Sequence, residues 1–160
     1  MNPRTIDETG FVVIGIAART SNAREMTSAG IIGKQWGRFL QNNVLAQIPN
    51  KIDSSIVAVY TDYAGDQEGE YTFVIGTRVR SGGEVPADMV AKTVPAGRYA
   101  VFTSPKGPVE KIVVETWQQI WSTPKSALGG DRVFQADFEI YDERAADPKN
   151  AQVEVHVGIR

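Results

Sequence analysis

Val57-Ala58-Val59-Tyr60 and Phe138-Glu139-Ile140-Tyr141 are the two runs whose reading decides the fold. Each is a short β-rich segment ending in tyrosine, and each follows an apolar stripe that carries a tryptophan, Trp36 in one case and Trp117 in the other. The same offset relates Trp36 to Trp117 and Tyr60 to Tyr141, which marks an internal duplication rather than a chance likeness of composition.

Working outward from the first run, Phe11-Val12-Val13-Ile14-Gly15-Ile16 reads as a strand. Ile32, Trp36, Phe39, Leu40 and Val44 then recur at the spacing of one helix face, which predicts a helix from Ser28 to Ala46 stopped by Pro49 and Asn50. Ile56 to Tyr60 and Tyr71 to Val79 form a hairpin whose acidic connection, Asp62 to Glu70, reads as a solvated tip. Ser81 to Pro86 is the clearest linker. In the second half, Val94 to Thr103 is strand-like around a Pro95-Ala96-Gly97 turn, and Pro108 occupies the first turn of a helix. That helix places Val109, Ile112, Val113, Thr116, Trp117, Ile120 and Trp121 on one stripe and ends at Ser122-Thr123-Pro124. Phe134 to Tyr141 and Gln152 to Arg160 close the second hairpin. Met1 to Gly10 reads as a loose lead-in.

The expected fold is therefore α+β within a single domain over residues 1–160. Two β-α-β-β units, at residues 11–80 and 94–160, merge into one antiparallel sheet with two main helices and a central cleft on a pseudo-twofold axis. A chain of 160 residues with 42% hydrophobic and 22% charged residues can bury such a core.

Charge and composition exclude several classes of function. Seventeen Lys and Arg against nineteen Asp and Glu leave a net charge of −2, so no basic surplus points to direct nucleic-acid binding. The longest apolar run, Phe11 to Ala18, is too short to span a bilayer, and no signal peptide is apparent. Cysteine is absent, which suits a reducing cytoplasm, and a single histidine, His156, rules out sites built from several imidazoles. No metal and no cofactor is expected. The acidic loop lacks the spacing of a calcium loop, Gly30 to Gln35 lacks the spacing of a phosphate-binding loop, and Ser-based hydrolysis has no elbow motif. His156 falls on the polar register of the last strand, is expected to point away from the core, and is assigned no catalytic role.

One residue breaks the duplication. Glu139 shares a strand face with Tyr141, whereas Ala58 stands at its counterpart beside Tyr60. Pattern alone fits either a solvated strand face or a cleft floor for Glu139, and either core or cleft wall for Trp36 and Trp117. In the cleft reading one carboxylate stands among two tyrosines and two tryptophans. That composition suits a cation, which gains from aromatic faces and from a carboxylate removed from water.

The order of several segments resembles the GyrI-like, or AraC-type effector-binding, domains of bacterial multidrug-responsive regulators, which also occur as stand-alone proteins. The resemblance runs from Phe11 to Arg160. It is carried by Trp36-Gly37-Arg38-Phe39, Val59-Tyr60-Thr61-Asp62-Tyr63, Tyr71 to Gly76, Val94 to Phe102, Trp117-Gln118-Gln119-Ile120-Trp121 and Asp137 to Tyr141. It implies a duplicated fold whose central cleft holds amphipathic, often cationic and aromatic small molecules against an acid at the position of Glu139. The expected site is Glu139, Trp36, Tyr60, Trp117 and Tyr141, with a small-molecule ligand as partner. In that family the domain is often joined to a DNA-binding segment, for which this length leaves no room, so regulation is expected to act through a protein partner. A free strand edge could also pair two copies into a homodimer, although no feature of the sequence demands it. Two alternatives stand beside the binding module: a hydrolase of small cyclic compounds using Glu139, and a ligand-responsive subunit of a separate protein target.

Overall fold

A computed structural model describes residues 3–80 and 83–160. The strands are β1 (Arg4–Glu8), β2 (Phe11–Ser21), β3 (Ile56–Thr61), β4 (Glu70–Val79), β5 (Val90–Val94), β6 (Gly97–Thr103), β7 (Arg132–Tyr141) and β8 (Glu154–Ile159). The helices are α1 (Asn22–Glu25), α2 (Ile32–Gln41), α3 (Val44–Gln47), α4 (Val109–Ser122) and α5 (Lys125–Leu128). All eight strands join one antiparallel sheet in the order β1-β6-β8-β7-β3-β4-β2-β5. Each repeat is the strand-helix-strand-strand unit read from the sequence, β2-α2-β3-β4 and β6-α4-β7-β8. The pseudo-twofold axis runs between β3 and β7, where Ala58 and Glu139 face each other as Cα partners.

Three elements differ from the sequence reading. The lead-in is partly an edge strand: β1 pairs with β6, and Arg4 reaches Glu154 of β8 at 3.0 Å. The segment opening the second half is two strands, because β5 turns away at Pro95 and pairs with β2 instead of continuing into β6. The strand that precedes each repeat in the chain thus pairs at the edge of the other repeat. The first long helix begins at Ile32, where the Glu25 carboxylate accepts from the free N–H groups of Ile31 and Ile32 at 2.9 and 3.0 Å. It ends at Asn42, followed by Asn43 in the left-handed region at φ 51°, which asparagine tolerates better than most residues. Of the linker, Ser81 and Gly82 lie outside the described residues.

The sheet is buried on both sides. One face packs under the helices through Phe39, Ile112, Trp117 and Ile120 against Phe73, Ile75, Phe102 and Val155. The other face folds on itself. Phe11 of β2 meets Phe138 of β7 with ring centroids 5.0 Å apart, although β4 and β3 lie between those strands. Three strand spacings would put the backbones about 14 Å apart in a flat sheet, so the sheet must curl toward this face. Gly15 and Gly76 stand opposite each other in the β2–β4 ladder. A Cβ on either would come within 2.0 or 1.9 Å of a backbone oxygen of the facing strand.

The curl corrects the expectation for His156. Its side chain does alternate away from Val155 and Val157, but the face it enters is covered. His156 is 3% exposed and stacks on Phe138 at 4.4 Å. Burial pushes its imidazole down to about 4, against the partial support of the Glu154 carboxylate 3.2 Å away, so the ring is neutral at physiological pH.

Candidate functional site

The centre of the molecule is a carboxylate held by rings. Glu139 lies on the helix-facing side of β7, flanked across the sheet by Ala58 of β3 and Val155 of β8, and is 1% exposed. Its Oε1 accepts the Tyr141 hydroxyl at 2.6 Å. Its Oε2 accepts the Tyr60 hydroxyl at 2.7 Å and the Trp117 indole N–H at 2.6 Å. All three donors are neutral. Burial raises the Glu139 carboxyl above its ordinary range, and the bonds from Trp117, Tyr141 and Tyr60 offset only part of that rise. Burial, followed by the charge of Glu139, holds the hydroxyls of Tyr60 and Tyr141 well above the usual phenol range, so both remain donors. The result is a buried carboxyl group with hydrogen bonds but no countercharge among the described residues, an arrangement costly to ionise and favourable to an incoming cation.

The tryptophans pack across the duplication. Trp117 of the second repeat meets Tyr60 of the first with centroids 5.1 Å apart, and Trp36 of the first meets Tyr141 of the second at 4.7 Å, both edge-on. The five residues singled out in the sequence therefore form one cluster around Glu139, in two symmetry-related pairs.

A cavity of about 320 Å3 adjoins only one of those pairs. Tyr60 and Trp117 form part of its wall, whereas Glu139, Trp36 and Tyr141 are not among its lining residues. Glu139 thus sits behind the wall, facing the cavity through the two rings that donate to it. Most of the remaining lining comes from Tyr63, Tyr71 and Trp121, from Ile32 and Val113, and from the polar groups Asn22, Glu25, Gln67 and Arg132. A volume in this range, lined by aromatic and aliphatic side chains with a few polar groups, is typical of a small-molecule site.

Several of these residues were not anticipated. Trp121 lies one turn beyond Trp117 on the same predicted stripe and could have been inferred. Tyr63 and Gln67 belong to the acidic connection; Asp62, Asp66, Glu68 and Glu70 are indeed exposed, yet Gln67 folds inward, its carbonyl accepting from the Asn22 amide at 2.9 Å. Arg132 becomes a wall residue through a break in β7. Phe134 takes φ 52°, the ladder to β8 is irregular between Arg132 and Asp137, and Phe134 leaves the apolar row formed by Ala136, Phe138 and Ile140.

Among the described residues, no cluster of His, Asp and Glu could hold a metal ion, and no helix is long and apolar enough to cross a membrane.

Comparison with known proteins supports the effector-binding reading of the sequence. YobU of Bacillus subtilis, named as a transcriptional regulator, is 41% identical over 147 residues, covering 91% of this chain and 90% of YobU. The transcriptional regulator BrlR of Pseudomonas aeruginosa is 33% identical over 99% of this chain, which spans 56% of BrlR. An integron cassette protein from the mobile metagenome of Vibrio cholerae superimposes with a TM-score of 0.77 at 25% identity, covering 99% of this chain and 96% of that one. SAV2435, solved bound to tetraphenylphosphonium, shares the fold at a TM-score of 0.80 and 17% identity, covering 100% of this chain and 94% of that one. The profile of the Cass2 family matches residues 5–159, and the chain belongs to that family of integron-associated effector-binding proteins, within the GyrI-like fold.

Proposed function

We propose that the cavity binds amphipathic aromatic cations and that Glu139 supplies their countercharge from behind Tyr60 and Trp117. The single observation that carries this reading is the buried carboxylate with three neutral donors and, among the described residues, no cationic partner, set directly behind a cavity lined by aromatic rings. A cation on the cavity side gains from the ring faces, at about 0.5 to 2 kcal/mol each, and from a charge that water does not screen. The tetraphenylphosphonium bound by SAV2435 is a ligand of this class. A ligand of about 25 non-hydrogen atoms at roughly 0.3 kcal/mol each gains about 7 to 8 kcal/mol, or low micromolar affinity.

The biological output follows from the relatives. Names of transcriptional regulators on two of them support a role in which ligand occupancy is passed to a separate protein that acts on transcription. Tetraphenylphosphonium and tetraphenylborate have nearly the same shape and opposite charge, which makes them a direct test. By calorimetry, the phosphonium should bind at least about tenfold more tightly than the borate, and Glu139→Gln should remove most of that preference. Equal affinity for both ions in the parent protein would defeat the proposal.

A further inference from the structure

Two charged side chains line the cavity, Glu25 and Arg132. Glu25 is already engaged: its oxygens accept from Ile31 N–H, Ile32 N–H and the Thr20 hydroxyl. Arg132 differs. Its side chain is 11% exposed, and it carries five N–H donors. One Nη2 proton goes to Asp137 Oδ2 at 2.7 Å and one Nη1 proton makes a long 3.3 Å contact to Gln67 Oε1. Its buried Nε has no hydrogen-bond partner among the described residues. The two bonds above use two of the four Nη protons, so donor capacity is left over on the wall of a cavity lined by five aromatic side chains, where an unmet donor is costly.

The surroundings hold this guanidinium in place. Asp137 is fully buried and accepts from Arg132, the Tyr63 hydroxyl and the Gly158 N–H, the last at 2.9 Å, so the ion pair fixes the guanidinium while occupying only one of its N–H groups. The Phe134 ring lies 4.3 Å from the guanidinium carbon on one side, and the Trp117 ring lies 5.9 Å away. Phe134 achieves this in a left-handed conformation that a bulky residue rarely adopts. Trp117 therefore stands between two poles: its N–H points to the Glu139 carboxylate, and its ring neighbours Arg132.

We propose that Arg132 is a second specificity residue of the cavity and receives a carboxylate or carbonyl oxygen of the ligand. The favoured effectors are then dipolar, with an aromatic cation near Tyr60 and Trp117 and an oxygen acceptor at the Arg132 end. This rests on the cation-binding reading above and adds to it the chemistry of the far end of the ligand.

The test compares tetraphenylphosphonium with (4-carboxyphenyl)triphenylphosphonium by calorimetry. The parent protein should bind the carboxylated ion about tenfold more tightly, since a charge-assisted bond forms in a water-poor site. Arg132→Met should abolish that preference and leave tetraphenylphosphonium bound equally or more tightly. Because Arg132→Met alone strands the Asp137 charge, the double variant Arg132→Met/Asp137→Asn is measured beside it. Tetraphenylphosphonium binding without a preference for the carboxylated ion, or a preference that survives both variants, overturns the role of Arg132 alone. Failure of the parent to bind either ion overturns the cation-binding reading and the role of Arg132 together.

Discussion

The Trp36–Tyr141 and Trp117–Tyr60 pairs are alike in ring geometry, with interplanar angles of 64° and 68°, yet only the second borders the 320 Å3 cavity. The backbone is duplicated and the chemistry is not. Where the axis crosses the sheet, one repeat places a methyl group, Ala58, and the other a carboxylate, Glu139. That one difference draws donors from both repeats onto the second repeat's strand. Asymmetry in a duplicated fold thus needs few substitutions when one of them lies on the axis, because both halves must respond to it.

The most severe way to break the comparison is to restore the symmetry. Ala58→Glu places a second carboxylate directly opposite Glu139, at a fully buried position with no added donors. We expect a loss of about 4 kcal/mol or more at pH 7, measured by urea unfolding, with partial recovery in acid as the pair takes up a proton. Ala58→Gln should cost distinctly less; an equal cost would mean that bulk rather than charge is the obstacle.

Removing one ring from each pair sharpens the contrast. Trp117 is 8% exposed and Trp36 only half-buried, so Trp117→Ala should destabilise by about 3 to 5 kcal/mol and Trp36→Ala by about 1 to 2. In titrations with tetraphenylphosphonium, the first should lose more than about tenfold in affinity and the second less than about threefold. Comparable losses would show that the two pairs share one binding role.

The smallest expected effect concerns protonation. Burial favours the protonated form of Glu139, whereas a bound cation favours the ionised one. Affinity for tetraphenylphosphonium should therefore rise with pH through the raised carboxyl range, and Glu139→Gln should flatten the curve. Stability runs the opposite way. A carboxyl whose pKa is raised on folding stabilises the native state below its unfolded value, and that contribution is lost as pH climbs toward the folded value. The stability of Glu139→Gln relative to the parent should therefore improve across the same interval, as read from melting temperatures.

Much of this arrangement is legible in the sequence. Repeated Trp and Tyr at a constant offset marked the duplication, and alternation placed Glu139 and Tyr141 on one face. What pattern could not supply was whether a face is covered. Asp137, Glu139 and His156 occupy registers that look polar, but Tyr63 and Arg132 close over the first, helix α4 covers the second through Trp117, and the curl of the sheet covers the third. The edge strands β1 and β5 escaped notice because RTIDE and VAKTV are short and half-polar, and their pairing is fixed by partners distant in sequence. Arg132 was hidden for a different reason: only the irregular backbone at Phe134 brings it back to Asp137, and no periodicity encodes that break.

The exchange of β1 and β5 carries a consequence of its own. Residues 3–80 hold the strand that completes the rim of residues 83–160, and the reverse is equally true. The halves are clasped like interlocked fingers, so neither lobe can swing away as a leaf on a hinge without tearing a ladder apart, and access for a guest has to come from movements of side chains and loops within a frame that stays shut.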